Sequence, residues 1–362
     1  MRLVSTIDGA KLRDFHDVVR RRSKDDPSFV YPDVGFLKGL LNGRSAYAGH
    51  GEARAFAVKA GSTTHAFGVA FRDPRMQAKA GRPVGSIGFL KWDWDEALAR
   101  LCDAAFEWLR ARGAEEVWAP FNATGFFGAG LREDRFDEPP FTGCADDPPG
   151  AAEDLRALGF EVVNRYLDFS VDLTSDTWRG PSPEAAGVTF RTVDRRRFKD
   201  EIRTFVRLHN AAFENVWGEG PVSEEEALEL LGPAKLAVVP SLWQLPVVDG
   251  RDAGFVVCLP DFNEILAPQR RPVTSPSGVA KIVLRRRQIG TVGLYAVGVD
   301  PELHGRGIGT ALVARACRAA ADLGYRRLEY ALVAEDNAAS RATIGRFGGE
   351  RHRSFGVYAR SI

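Results

Sequence analysis

At 362 residues, 44% hydrophobic and 27% charged, the chain has the make-up of a globular protein with room for about two domains of ordinary size. Lys and Arg number 49 against 48 Asp and Glu, and the net charge of +1 excludes the global basic field that grips nucleic acid indiscriminately. No apolar run approaches the ~20 residues that cross a bilayer, and Asp8, Asp14 and Asp17 replace a signal-peptide core, so a cytoplasmic protein without membrane contact is expected.

Cys102, Cys144, Cys258 and Cys317 form no CxxC pair, and the six His lack HExxH spacing; neither a disulfide framework nor a metal site is predicted. In the first half, residues 84–92 read as a strand and 95–112 as a helix with an apolar stripe of Leu98, Leu101, Ala105 and Trp108. Asp95 is its expected cap. After Gly113 comes a strand over 115–119. The stretch 122–150 is rich in Gly, Pro and Asp, yet Phe126, Phe127 and Phe136 make it too aromatic for a disordered segment; it is expected to fold over a cleft.

Residues 174–183 have linker composition and divide the chain into 1–175 and 181–362. Beyond them a strand is predicted over 188–191, a helix over 198–213 running on toward Trp217, and strands over 236–239 and 254–259. Residues 268–276 read as an exposed excursion, and the arginine runs 195–197 and 285–287 as solvated faces.

The most specific signal comes last. Residues 294–299 are apolar on both faces and end at Asp300-Pro301, which marks the end of a strand because proline cannot donate to a ladder. From Ile308 the period becomes helical, with Ile308, Leu312, Ala316, Ala320 and Leu323 on one stripe. Gly305, Gly307 and Gly309 form the turn between them. Alternate glycines leave amide N–H groups uncovered at a helix start, which is an anion site suited to a phosphate or pyrophosphate. A P-loop would need a Lys before Thr310, and a dinucleotide fold would need its third glycine one position later.

The run Val299-Asp300-Pro301-Glu302-Leu303-His304-Gly305-Arg306-Gly307-Ile308-Gly309 resembles the acyl-CoA-binding motif of the GNAT acyltransferase superfamily, written Q/R-x-x-G-x-G/A. Gly307 and Gly309 match its glycines, and His304 takes the Gln/Arg position. The strand from Arg327 and the helix start at Asn337 to Ser340 resemble the family's second motif. The resemblance implies a mixed α/β fold, a twisted and mostly antiparallel sheet with a splayed central strand pair flanked by helices. It also implies that Val297, Gly298, Val299, His304, Gly305, Arg306, Gly307, Ile308, Gly309, Thr310, Asn337 and Ser340 face acetyl-CoA or another acyl-CoA.

The order strand, helix, glycine, strand occurs in both halves, and Leu158-Gly159-Phe160-Glu161 answers Phe347-Gly348-Gly349-Glu350. Where the second copy has its glycine loop, the first has Trp92-Asp93-Trp94-Asp95-Glu96, whose carboxylates would repel a pyrophosphate. The chain therefore resembles tandem GNAT proteins, with a degenerate first copy that has a structural or acceptor-shaping role.

By this resemblance the reaction is acyl transfer, acetyl by default, to the amine of a small-molecule or amino-acid-like acceptor. A backbone N–H near Val297 to Val299 would polarise the thioester carbonyl. Glu264, Glu335 or Asp261 would take the ammonium proton. The family's usual tyrosine acid is replaced by Ile344, leaving Tyr330, Tyr295 or Tyr358, with Tyr330 favoured by its strand. His209, Asn210, Phe213, Glu214 and Trp217 are acceptor-side candidates. Two other readings are a non-catalytic module binding CoA or a partner, and transfer from aminoacyl-tRNA, against which the lack of basic charge counts.

Overall fold

In chain order the first half comprises β1 (Val4–Asp8), α1 (Leu12–Arg22), α2 (Gly35–Leu41), β2 (Glu52–Ala60), β3 (Thr63–Arg72), α3 (Pro74–Ala80), β4 (Val84–Trp92), α4 (Asp95–Arg110), β5 (Glu116–Ala119), β6 (Leu131–Arg132), α5 (Ala151–Ala157) and β7 (Glu161–Asp172). The second comprises β8 (Val188–Thr192), α6 (Phe198–Ala212), α7 (Glu224–Leu231), β9 (Trp243–Val248), β10 (Arg251–Asp252), β11 (Gly254–Pro260), α8 (Asn263–Leu266), α9 (Pro276–Arg285), β12 (Thr291–Val299), α10 (Ile308–Asp322), β13 (Arg327–Ala334), α11 (Ala338–Gly345) and β14 (Glu350–Ser361). This computed structural model describes residues 4–24, 26, 29–179, 187–236, 238–267 and 275–362.

Side-chain alternation along the strands sets the layers. On β3, Ala66 and Ala70 pack with Leu98, Leu101 and Ala105 of α4, whereas Phe67, Val69 and Phe71 pack with Phe15, Val18 and Val19 of α1. On β11, Val256 and Cys258 join Leu312, Val313 and Ala316 of α10, and Phe255 and Val257 join Phe205 and Ile202 of α6. Both halves are thus a sheet between two helical layers. Each fully buried Leu, Ile, Val or Phe contributes about 1.5–3 kcal/mol relative to exposure.

The described strands form one sheet in the order β1-β2-β3-β4-β5-β14-β7-β13-β12-β11-β9-β10, with β6 beside β14 and β8 beside β9. The two last strands of the repeat have changed places. Strand β14, from the second half, pairs with β5 of the first (Tyr358 opposite Ala119), and β7, from the first half, pairs with β13 of the second (Leu167 opposite Val333). The ladder is therefore continuous between the halves. The expected boundary near residue 180 lies outside the described residues.

A buried carboxylate adds a second tie. Glu226 on α7 is fully buried and meets Arg75 at 3.1 Å and His50 at 2.7 Å, both from the first half. Nearby, Ser45 Oγ donates to Glu229 at 2.8 Å. Burial raises the pKa of Glu226, but the Arg75 guanidinium and the Ser223 N–H outweigh it and hold the carboxyl below its ordinary value.

Three sequence expectations need correction. At the described residues of the strand predicted over 236–239 no strand forms: Leu236 ends a short turn, another follows at Pro240–Leu242, and β9 begins at Trp243. Pro240 has no N–H for a ladder, whereas Trp243 and Leu245 alternate into the core. Asp95 does not cap α4; it is the first helical residue, after Trp94, and with Glu96 it acts on the helix dipole. The helix from Phe198 ends at Ala212, short of Trp217.

Candidate functional site

At the end of β12, Asp300 accepts from the Glu302 N–H (3.1 Å) and starts a single turn, Pro301–Leu303. His304 Nε2 lies 3.2 Å from the Val299 carbonyl oxygen and holds the loop to the strand end. Gly305 (φ +80°) and Gly307 (φ +77°) are left-handed, the region that favours glycine. A Cβ on Gly309 would meet only Val299 Cγ2, at 3.8 Å, so packing within the protein does not require glycine there. The Ala311 N–H donates to the Gly307 carbonyl at 2.9 Å and opens α10, leaving the N–H groups of Ile308, Gly309 and Thr310 without intrahelical acceptors. These donors, at the positive end of a fifteen-residue helix, form a cradle for a pyrophosphate.

Beside this loop the central strands part. β12 and β13 pair in parallel from Thr291–Arg327 to Leu294–Tyr330 and no further. Beyond that point β12 keeps β11 on one edge only, and β13, paired with β7 throughout, bulges away at Leu332 (φ +55°), whose N–H donates to Asp168 Oδ1 at 2.7 Å. The other edge of β12 from Tyr295 to Val299 faces the opening, where its free N–H groups can meet a carbonyl oxygen.

In the first half the equivalent opening is sewn shut. β4 and β5 part after Ser86 and Trp118, but the Phe121 N–H donates to Ile87 O (2.9 Å) and the Phe89 N–H donates to Asn122 Oδ1 (2.8 Å). Asp93 pairs with Arg21 and His65, both at 2.8 Å. These bonds occupy the strand edges that stay open in the second half.

From the opening in the second half a cavity of about 1530 Å³ extends into both halves. Its walls are mostly apolar, with Phe15, Phe29 and Phe36 from the first half, and Phe205, Leu259 and Ile289 from the second. Residues 122–150 contribute Phe126, Phe136, Pro140 and Cys144 to the lining, as the cleft-covering expectation required.

Several of the polar groups in these walls are shifted by burial. Glu219 is pushed up to about 7 by desolvation, only partly offset by Lys79, and its Oε2 is buried without a hydrogen-bond partner among the described residues. Tyr166 has a buried, unpartnered hydroxyl, which desolvation and then the Glu219 charge raise well above its ordinary value. His209 is pushed down to about 4 by burial and stacks on Phe213 with ring centroids 4.7 Å apart. Asp146, at the other polar end, is raised to about 6 by burial, next to the Lys91–Asp147 pair (2.7 Å).

Glu219 is set by its neighbours. Gly218 is left-handed (φ +73°), and a Cβ on Gly220 would lie 2.8 Å from Met76 Sδ, so a carboxylate between these two glycines is held in one direction. The sequence reading misses it, though Gly-Glu-Gly was a signal that could have pointed there. Tyr166 was invisible for another reason: it reaches the second half's opening on the exchanged strand.

The sequence-predicted residues fall into two groups. Asn337, Ser340 and Tyr330 come together: Asn337 Oδ1 accepts from the Ser340 N–H (3.0 Å), and the Tyr330 hydroxyl donates to Ser340 Oγ (3.2 Å). Burial raises Tyr330 to about 12. Glu264 and Glu335 are not brought to this cluster. Glu264 is exposed and accepts from the Gly290 N–H (2.6 Å), before the start of β12, roughly 25–30 Å of strand from the glycine loop. Glu335 is also exposed, 3.9 Å from Arg165. Asp261 is buried under the first half's loop, accepting from Thr142 Oγ1 at 2.7 Å. Tyr295 donates to the Thr142 carbonyl and Tyr358 to Glu133.

Of the acceptor-side candidates, His209 and Phe213 line the cavity. Asn210 is occupied on both sides by Val222, Trp217 stacks on Trp118, and Glu214 is exposed. Among the described residues no group of three or more His, Cys, Asp or Glu is placed to hold a metal ion.

Residues 202–348 match the acetyltransferase (GNAT) family. The chain is 27% identical to the bacterial ceramide synthase of Caulobacter vibrioides, over 98% of this chain and 95% of that protein, and 24% identical to protein YghO of Escherichia coli, over 93% and 90%. Its fold is similar to a tandem GNAT protein from the clavulanic acid biosynthesis pathway (TM-score 0.59, 14% identity, covering 99% of this chain and 98% of that one). It is also similar to a GCN5-related N-acetyltransferase from Sphaerobacter thermophilus (TM-score 0.53, 16% identity, covering 98% and 95%). With its cradle intact in the second half, where residues 202–348 match the GNAT family, and the equivalent opening bridged in the first, the chain has the fold of tandem GNAT proteins.

Proposed function

We propose that the protein transfers an acyl group from acyl-CoA to the amine of a long-chain lipid acceptor, forming an amide. The observation that carries this reading is the cavity: about 1530 Å³ with mostly apolar walls, against ~300–1,000 Å³ for ordinary small-molecule pockets. At ~30 Å³ per methylene, about a water's share of volume, it has room for more than one alkyl chain. An acetyl group and a polar amine would leave most of that surface without a partner. The relative named as a ceramide synthase, aligned over nearly the whole chain, agrees with an amide-forming step on a lipid amine.

In the proposed reaction the loop from Gly305 to Thr310 holds the pyrophosphate of CoA, and Asn337 and Ser340 border the same side. Glu219 takes a proton from the acceptor's ammonium, and the resulting amine attacks the thioester carbon. The open edge of β12 near Val297 donates to the carbonyl oxygen as negative charge builds there. The C–N bond forms, the C–S bond breaks, and the departing sulfur takes a proton, for which Tyr330 beside Ser340 is the assigned donor. Glu219 suits the first step because a carboxyl near 7 can both accept and release a proton at neutral pH.

CoA release by the full-length protein, measured over a grid of acyl-CoA chain lengths and amines, tests this reading. Turnover should be highest with a long-chain amine and long-chain acyl-CoA. Fastest release with acetyl-CoA and a polar amine would overturn it.

A further inference from the structure

The cavity opens beside α9, and that rim is unusual in composition. The exposed large hydrophobic side chains among the described residues are Val283 (65% exposed), Leu284 (81%) and Leu323 (48%). Val283 and Leu323 line the mouth of the cavity, together with Arg286 and Arg287. Ile282 anchors α9 inward, packing with Leu266, Ile289 and Tyr325, which turns the next two residues outward.

Along α9 and the turn after it the charge is one-sided, while Asp322 beside Leu323 and Glu264 below Tyr325 are the exposed carboxylates nearby. From Pro276 to Gln288 the sequence carries Lys281, Arg285, Arg286 and Arg287 and not one Asp or Glu, in a chain whose net charge is only +1. Arg285, Arg286 and Arg287 are exposed and meet no carboxylate among the described residues. An apolar ridge flanked by basic side chains is the composition of a helix that lies in a membrane interface and attracts anionic headgroups.

We propose that α9 and the adjoining end of α10 dock the protein on an anionic phospholipid surface, with the cavity mouth facing the bilayer. The proposal rests on the lipid-acceptor reading, because only a substrate dissolved in a membrane needs a mouth at that surface. The sequence reading, which found no spanning segment, expected no membrane contact. Among the described residues no helix is long and apolar enough to cross a membrane, so docking is peripheral. Leu284 and Val283 enter the interface, and the arginines stay at headgroup level.

Vesicle flotation with the full chain tests the proposal. Binding is expected to vesicles containing phosphatidylglycerol and not to pure phosphatidylcholine, and it should weaken as salt rises. Leu284→Asp should lower binding at least 10-fold, and combined Arg285→Gln, Arg286→Gln and Arg287→Gln on the order of 100-fold, at ~1 kcal/mol per basic residue. Leu284 is outside the cavity lining and largely exposed, so Leu284→Asp should keep the wild-type melting temperature and its turnover of detergent-dispersed substrate. Flotation of the variants equal to wild type overturns the proposal. So does a wild-type dimer that Leu284→Asp converts to monomer, since the ridge would then cover a second copy. Turnover of dispersed long-chain amines without vesicle binding removes the docking and leaves the lipid reading standing; vesicle binding without such turnover removes the lipid reading.

Discussion

Tyr358 lies opposite Ala119 in an antiparallel ladder, so the last strand of the chain completes the sheet of the first half. In return β7 lies against β13 and supplies Tyr166 to the opening of the second half. A fragment ending near residue 180 would leave β5 as an open edge, and a fragment starting there would leave β13 unpaired on its outer side.

Residues 1–180 and 181–362, expressed separately, should therefore lack cooperative melts, and neither should bind CoA. Co-expression should restore both properties. Circular dichroism and calorimetry check this. A lone second half that melts cooperatively and binds CoA would show that β7 is dispensable.

Gly307→Glu should abolish CoA binding. The side chain would carry a negative charge to the helix start that holds a pyrophosphate, and a left-handed position (φ +77°) would be occupied by a residue with a Cβ. The stability cost should be about 1–2 kcal/mol. Thermal melts with and without CoA separate the effects: the wild type gains stability with ligand, and the variant should gain none.

Glu219→Gln should reduce kcat by about 10²- to 10⁴-fold and remove the limb of the pH profile that rises through about 7. Stability should move the opposite way. Burial raises the folded-state pKa above 4.5, so the folded protein holds this proton more tightly; its contribution is complete below pH 4.5 and is lost as pH rises through 7. The wild type should lose roughly 2–3 kcal/mol from this group between pH 4.5 and 8, and the Gln variant should not. A variant that keeps both the rising limb and wild-type kcat would take Glu219 out of the mechanism.

Glu226→Ala should destabilise the protein by roughly 1–3 kcal/mol, because Arg75 and His50 lose one of two buried carboxylates and keep only Asp73. Its pairing depresses the carboxyl, so the stabilisation is full above about 4.5 and fades as pH falls below that value. Denaturant titrations at pH 7 and pH 4 should therefore differ more for wild type than for the variant.

The local elements of the fold were legible because period and punctuation agreed. The strand over 84–92 and the helix start at Ile308 appear where the sequence puts them, and the paired signals at Phe160-Glu161 and Gly349-Glu350 open β7 and β14. What local patterning cannot carry is which partner a strand selects. Both exchanged strands have the same alternation that an unexchanged arrangement would need, so nothing in β7 announces that Val333 lies across from Leu167. The site divides the same way. The cofactor loop is contiguous in sequence and was readable from three glycines. The acceptor side is assembled from residues as distant as Phe29, Tyr166 and Glu219, whose proximity is a product of the tertiary fold. Glu264 and Glu335 were attractive as carboxylates near strand ends, but a strand has two ends, and Glu264 lies at the wrong one.

The seam at Phe121 and Ile87 has a consequence for how such a protein diversifies. Having closed its own opening, the first half carries no cofactor loop to preserve, and its 122–150 segment is free to vary while walling the partner half's cavity. Substrate range can then drift through changes more than 150 residues from the CoA loop, without touching the chemistry. Two proteins with the same second half could acylate different amines, and grafting residues 122–150 from one to the other should carry the preference with it.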